Sequence, residues 1–417
     1  MSIKVGTTNT NGSGSATNLD DTHEVLSTSK YYNGSTSTSG YTASIDADQN
    51  LIQVVANRWN GYNTKEVRID ADDRDINVAN FVDVDINAQG SQAGIDVEVL
   101  YAKRGEVNTG AGDDVIAVSL KSNGATNAWN NLFTIDSGAG NDDIIVTNSE
   151  NSNYTSLNIN AGSGDDYVDI SEVSAGNKDV SRVINGGSGN DFIKGSDSSD
   201  IINGGSENDN INGNGGDDIL SGGTGDDWIE GGTGNDTIDG GTGSDLLLGG
   251  MGDDVIHAGY GNDIVEGGKG EDRLFGGAGD DVIDGGIGED IIAGGEGNDI
   301  LIGSEGEDTF LFDFAETADG QLITHTGHDY ILDIEEGETL NFANVFDSGE
   351  VIPGVTLSDF SSHYGISVVD DSGVVGGDVV ISFGDFDSIT LAGLGTHDSS
   401  LNSLLDLENS GINIDLT

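Results

Sequence analysis

The sequence predicts an all-β chain: a parallel β-roll or β-solenoid, with irregular, wider rungs ahead of it and a β capping region behind it. Three observations carry this expectation. An aspartate and an apolar residue keep a strict nine-residue spacing from Gly186 to Phe310. Glycine supplies 67 of 417 residues against a single proline, Pro353, without the three-residue period of collagen, so the glycines serve turns. Hydrophobic residues make up 34%, enough for a core if they are spread along strands.

The repeat comes first, because a fixed period decides the architecture. Units read GGSGNDFIK, GSDSSDIIN, GGSENDNIN, GNGGDDILS, GGTGDDWIE, GGTGNDTID and onward without insertion. Aspartate holds the sixth position fourteen times: Asp191, Asp200, Asp209, Asp218, Asp227, Asp236, Asp245, Asp254, Asp263, Asp272, Asp281, Asp290, Asp299 and Asp308. The eighth position is apolar throughout, from Ile193, Ile202 and Ile211 to Leu301 and Phe310, and these side chains are expected to line the core. At a rise of about 3.3 Å per residue, nine residues make a strand of about three and a turn of about six. Two units then complete a coil, and turns 18 residues apart, such as those of Asp191, Asp209 and Asp227, stack on one edge.

Residues 41–185 carry the same signal at a looser period, in NTGAGDDVIAV, DSGAGNDDIIV and NAGSGDDYVDI, which read as wider rungs. VRIDADDRDINV and FVDVDINA alternate apolar and polar residues as half-buried strands do, placing the solenoid start near Tyr41. Residues 1–40 are rich in Ser, Thr, Asn and Gly and are expected to be flexible or a poorly anchored cap. The strict array fills 186–312, and in 313–417 segments such as DYILDI, TLNF, DVVISF and SITLAG read as an antiparallel capping region.

Charge narrows the partners. Seventy-five acidic residues against 14 basic ones give a formal net charge of -61, which repels itself in a compact state without counter-cations and argues against nucleic acid and anionic membrane. The absence of cysteine removes disulfides and thiolate metal sites. No apolar run is long enough for a membrane span or a cleavable N-terminal signal peptide, so neither is expected.

Stacked glycine-rich turns suit calcium, which takes six to eight oxygen ligands and favours carboxylates combined with backbone carbonyls. Glycine reaches positive φ cheaply and lets the carbonyls converge. The candidate metal ligands are Asp191, Asp209, Asp218, Asp227, Asp236, Asp245, Asp254, Asp263, Asp272, Asp281, Asp290, Asp299 and Asp308, with Asp114, Asp142 and Asp166 upstream. The turn glycines that would shape their sites are Gly187, Gly189, Gly222, Gly223, Gly225, Gly231, Gly232, Gly234, Gly240, Gly241, Gly243, Gly249, Gly250 and Gly252. The same set continues through Gly267, Gly268, Gly270, Gly276, Gly277, Gly279, Gly285, Gly286, Gly288, Gly294, Gly295 and Gly297. About one Ca2+ per stacked pair of turns is expected. Calcium and folding should then be linked.

These units resemble the RTX, or hemolysin-type, nonapeptide repeat G-G-x-G-x-D-x-U-x. The resemblance implies a parallel β-roll with ions between stacked turns, in a protein exported unfolded by bacterial type I secretion through an uncleaved C-terminal signal. Type I secretion machinery is thereby an expected partner and the extracellular space or cell surface the expected location. Ser198 and Glu207 stand at the fourth position and Ser196 at the second, so the sites around Asp200 and Asp209 are expected to be weaker or vacant.

Catalytic motifs are sparse. His23-Glu24 has Ser27 where a zinc protease helix needs its second histidine, and no G-x-S-x-G elbow occurs. His325, His328 and Asp329 could hold a transition metal or lie in a polar surface loop. Tyr101, Lys103 and Arg104, near Asp96 and Glu98, are groups a secreted polysaccharide lyase or epimerase could use, or a solvated strand face. The preferred expectation is non-enzymatic: a secreted calcium-binding protein of a surface layer, matrix or adhesive coat, able to self-assemble or to hold cell-surface polysaccharide.

Overall fold

The computed structural model describes residues 2–8, 23–27, 34–37, 41–46, 51–56, 64–71, 73, 75–81, 83–121, 132–149, 156–173, 181–316, 322–324, 327–335, 337–343, 366–370, 378–383, 387–392, 407–408 and 411–415. The chain divides into two compact units, Met1–Ile219 and Leu220–Thr417.

The first unit stacks two parallel sheets. One runs from Thr64–Asp70 through Asp83–Asn87, Arg104–Asn108, Leu132–Ala139, Ser156–Ser163 and Arg182–Ser188 to Ile201–Ser206. The other runs from Leu51–Ala56 through Asp75–Ala79, Asp96–Ala102, Val115–Lys121, Asp143–Ser149, Tyr167–Asp169 and Phe192–Lys194 to Asn210–Asn212. Register stacks like on like. Ile69, Ile86, Val107, Ile135, Ile159, Ile184 and Ile202 form one buried column. Ile52, Ile76, Val97, Ile116, Ile144, Val168, Ile193 and Ile211 form a second. Each fully buried aliphatic side chain contributes about 1.5–3 kcal/mol.

Parallel stacking begins at Leu51–Ala56 and Thr64–Asp70 rather than near Tyr41. Ahead of them the strands are antiparallel. Ser2–Thr8 pairs with both His23–Ser27 and Thr64–Asp70, and Gly34–Ser37, Tyr41–Asp46 and Leu51–Ala56 form an antiparallel run on the other sheet. Antiparallel strands thus cover the first parallel strand of each sheet. The rest of 1–40, where flexibility was expected, lies outside the described residues. The longer rungs keep strand register, with Val115–Lys121 on Asp143–Ser149, Leu132–Ala139 on Ser156–Ser163 and Ser156–Ser163 on Arg182–Ser188; residues 122–131, 150–155 and 174–180 also lie outside the described residues.

In the second unit the period is uniform. Trp228–Thr233, Leu246–Met251, Ile264–Lys269, Val282–Ile287 and Ile300–Glu305 build one parallel sheet. Thr237–Thr242, Val255–Tyr260, Arg273–Ala278, Ile291–Glu296 and Thr309–Glu316 build the other. Ladder bonding extends further than a three-residue strand. Trp228, Ile229 and Glu230 pair with Leu246, Leu247 and Leu248, then Gly232 and Thr233 pair with Gly250 and Met251. The first-position glycines Gly231 and Gly249 are skipped, so the chain bends at that corner and the strand resumes beyond it.

The region after Phe312 is largely parallel, against the antiparallel expectation. His328–Ile331 stacks on Ile300–Glu305 and Asp387–Leu391 on His328–Ile331. Thr339–Ala343 stacks on Thr309–Glu316, and Asn413–Asp415 on Thr339–Ala343. Both DYILDI and TLNF place an apolar residue, Ile331 and Leu340, directly over Leu301 and Phe310, which restores the core column. Antiparallel pairing is confined to Ile366–Asp370, Val379–Phe383 and Asp387–Leu391, and to Leu322–Thr324 against Thr309–Glu316. Among the described residues no helix is long and apolar enough to cross a membrane.

Candidate metal centre

Each sixth-position aspartate sits at the end of a turn, immediately before a strand, and is buried. Its two carboxylate oxygens have different tasks. Oδ1 accepts the backbone N–H of the aspartate one coil earlier. In the first unit Asp114 donates to Asp142, Asp142 to Asp166, Asp166 to Asp191, Asp191 to Asp209, and Asp200 to Asp218, all at 2.7–2.9 Å. In the second unit one ladder runs Asp227, Asp245, Asp263, Asp281, Asp299, and the other runs Asp236, Asp254, Asp272, Asp290, Asp308.

The second oxygen is left over. Oδ2 of Asp166, Asp191, Asp245, Asp254, Asp263, Asp272, Asp281, Asp290 and Asp308 is buried and has no hydrogen-bond partner. In Asp191, Asp245, Asp254, Asp272, Asp281 and Asp290 it points at the first-position glycine of its own turn, beside a carbonyl of the next turn on that edge, whereas Ala161 and Ala258 hold the first position ahead of Asp166 and Asp263. A β-carbon built on Gly267 would lie 2.6 Å from Oδ2 of Asp272 and 2.6 Å from the Gly285 carbonyl oxygen. On Gly249 it would lie 2.5 Å from Oδ2 of Asp254 and 2.5 Å from the Gly267 carbonyl. Glycine therefore keeps open a space lined by carboxylate and carbonyl oxygens. A buried carboxylate oxygen without a donor is costly, and a hard cation with oxygen preference is the partner this donor set fits.

The second- and fourth-position glycines solve a different problem. Gly241 and Gly243 have φ of +106° and +133°, and a β-carbon on either would overlap the carbonyl oxygen of Gly223 or Gly225 in the stacked turn. At three places where another residue stands the left-handed backbone persists, with φ of +73° at Glu207, +69° at Asn214 and +71° at Ser304, whereas Ser196 and Ser198 do not adopt it. Glu207 also accepts the Gly189 N–H at 2.6 Å.

Desolvation dominates the acidity of this ladder. Burial pushes the carboxyls of Asp166, Asp245, Asp254, Asp281 and Asp290 up to about 7, against the lowering effect of the hydrogen bond each accepts, and neighbouring carboxylates push the same way. Burial likewise raises Asp142, Asp191, Asp272 and Asp299 to about 6, and raises Asp114, Asp263 and Asp308. A divalent cation among these oxygens would hold the carboxyls ionised.

The ladder also continues where the nonapeptide spacing ends. Asp299 donates its N–H to Oδ1 of Asp329 at 3.1 Å, thirty residues on. Glu338, thirty residues after Asp308, is buried immediately before Thr339–Ala343. The signal for both was present as an acidic residue two before an apolar one, Asp329 before Ile331 and Glu338 before Leu340.

The other candidates do not converge. Asp329 is buried while His328 is exposed, its Nδ1 2.9 Å from Oγ of Ser388, and His325 lies outside the described residues. Asp96 and Glu98 lie on the strand Asp96–Ala102, whereas Arg104 opens a strand of the other sheet and pairs with Asp83 at 2.8 Å. His23, Glu24 and Ser27 lie on the antiparallel strand His23–Ser27. Among the described residues no three His, Asp or Glu side chains cluster into a metal centre of their own, so the available oxygens come as single carboxylates with backbone carbonyls.

Fold and site together define a parallel β-roll whose glycine turns stack buried carboxylates along its edges. The family of the RTX calcium-binding nonapeptide repeat (4 copies) matches residues 183–211, 212–247, 221–256, 248–283, 257–292 and 284–313, so residues 183–313 are RTX calcium-binding nonapeptide repeats. Among solved structures the chain is similar to the extracellular lipase LipA from Serratia marcescens, at 21% identity over 63% of this chain and 42% of that one, with a TM-score of 0.21. It is also similar to a hyperactive, Ca2+-dependent, β-helical antifreeze protein from an Antarctic bacterium, at 21% identity over 60% of this chain and 82% of that one, with a TM-score of 0.25. No curated protein matches the chain.

Proposed function

We propose that this is a secreted calcium-binding β-roll protein with a non-enzymatic extracellular role, in a surface layer, a matrix or an adhesive coat, that completes its folding on Ca2+ after export. The observation that carries this reading is the row of buried Oδ2 atoms, such as those of Asp254, Asp272 and Asp290, each without a hydrogen-bond partner and facing a glycine corner. The net charge of -61 adds the same demand for cations over the whole chain. Asp254, Asp272 and Asp290, with the carbonyl oxygens of Gly267, Gly285 and Gly303 beside them, are the residues that would hold ions, at about one per stacked pair of turns. An ion bound only by the folded state stabilises it by about 2.7 kcal/mol when its concentration is a hundredfold above Kd. The RTX repeats support export by type I secretion, with the C-terminal region as address.

The test is a calcium titration of the full chain after chelation, followed by circular dichroism and by counting bound ions at saturation, with magnesium as control. Calcium is expected to restore β-structure cooperatively and magnesium to fail. An unchanged β-spectrum in chelator would sink the linkage between calcium and folding. Assembly of the calcium-loaded chain into large particles, with no activity on glycans, would support the coat role.

A further inference from the structure

In the first unit, the edge that carries Asp200 and Asp218 is built differently from the others. The residue eighteen places ahead of Asp200, where the phase calls for another aspartate, is Arg182. One step back along the strands from the pair Val183–Ile201, Arg182 stands opposite Asp200. Its side chain is 4% exposed, that of Asp200 0%, and Nε lies 3.9 Å from Oδ1. The charge of Asp218 also bears on the guanidinium. Further back the same column is apolar, with Leu157 paired to Arg182 and Phe133 to Leu157, both buried.

Oδ2 of Asp200 is also satisfied in a way its counterparts are not, while Oδ1 and the Arg182 Nε face each other without a hydrogen bond. Oδ2 accepts the N–H of Ser196 at 2.7 Å and its hydroxyl at 3.0 Å. The equivalent oxygen of Asp191 has no hydrogen-bond partner. Serine at the second position supplies a hydroxyl donor that glycine lacks, and arginine supplies a permanent positive charge that cannot dissociate from the chain.

We infer that Arg182, facing Oδ1, and Ser196, donating to Oδ2, together supply to Asp200 what a cation supplies elsewhere, so that the Asp200 turn closes without calcium. The inference rests on the calcium reading above. It gives the chain a calcium-independent rung beside turns that need the ion, and stacking in a solenoid propagates from any rung already formed.

The test uses the full chain and its Arg182→Met and Arg182→Lys variants, with hydrogen exchange at residues 182–219 in chelator and a calcium titration of folding. Wild type and R182K are expected to keep those amides protected in chelator. R182M is expected to lose the protection and to shift the calcium midpoint upward roughly tenfold, because a buried carboxylate is left without its partner. If R182M alone fails to fold at every calcium concentration, the need for the charge is upheld. If R182M is protected like wild type, or if R182M and R182K fail alike, Arg182 serves packing and the inference falls. Should calcium leave all three spectra unchanged while R182M still loses protection, the calcium reading falls and the Arg182 pairing survives as a plain ion pair.

Discussion

The backbone N–H of Asp254 donates to Oδ1 of Asp272, 2.8 Å away and one coil on. Asp272 in turn donates its own N–H to Asp290 at 2.8 Å. Each sixth-position carboxylate is therefore both a backbone cap and an ion ligand, and the two roles separate by substitution. Asp272→Asn keeps an acceptor for Asp254 and loses the charge, so it should fold in saturating calcium with its calcium midpoint raised several-fold. Asp272→Ala also loses the cap, worth about 1–3 kcal/mol, and should melt below D272N at every calcium concentration. Calcium titrations and thermal melts read both effects, and identical midpoints for D272N and wild type would count against ligation at this turn.

Gly243 tests the turn geometry independently of charge. It combines φ of +133° with a stacked carbonyl, that of Gly225, where a β-carbon would fall. Gly243→Ala should cost at least about 1–3 kcal/mol from backbone strain alone, before the clash with Gly225. Gly90 has open space around the same atom and no left-handed requirement, so Gly90→Ala should melt with wild type. Equal melting of G243A and wild type would mean that the turn relaxes without loss.

Residues near in phase were legible, and residues displaced from phase were not. The spacing of Asp245 to Leu247 and Asp254 to Ile256 is enough to place core and turn, since a period of two along a strand leaves one face for the interior. The places of Asp329 and Glu338 in the ladder were hidden because thirty residues, not eighteen, separate them from Asp299 and Asp308, although the strands that carry or follow them stack in the same register. Arg182 was hidden because an arginine in an acidic chain reads as a solvated charge, and only packing shows it enclosed beneath Leu157. Asn214 and Ser304 went unread as glycine substitutes because tolerance of positive φ depends on the particular turn.

Removing calcium should give the fold an inverted pH dependence. The carboxyls of Asp166, Asp254 and Asp281 rise from 3.8 to about 7 on folding, chiefly through burial. Between those values the folded state holds protons that the unfolded chain has released, so stability falls as pH rises through this window. The calcium-free chain should thus show more β-structure near pH 5 than near pH 8. With calcium present, protons compete for the same oxygens, and the calcium midpoint should fall as pH rises. Circular dichroism in chelator at the two pH values decides the first point, and equal spectra would contradict it.

Glu338 isolates one such acid at the end of a ladder. It is 2% exposed, accepts the Glu335 N–H through Oε2 at 2.7 Å, and is pushed up to about 8 by burial, with Asp333, Asp308 and Glu335 adding to the effect. Its folded carboxyl lies above the ordinary 4.5, so its contribution to stability declines as pH rises from about 4.5 to about 8. Glu338→Gln retains an oxygen acceptor for Glu335 and cannot ionise. The variant should match wild type near pH 4 and melt higher at pH 8, by about 2–4 °C for each kcal/mol relieved. Glu338→Ala, which leaves that N–H without its acceptor, should melt lower at both. The opposite result, E338Q melting lower than wild type at pH 8 only when calcium is present, would mean that Glu338 is ionised in the loaded fold and that the ladder of ion ligands runs past Asp308 into the cap.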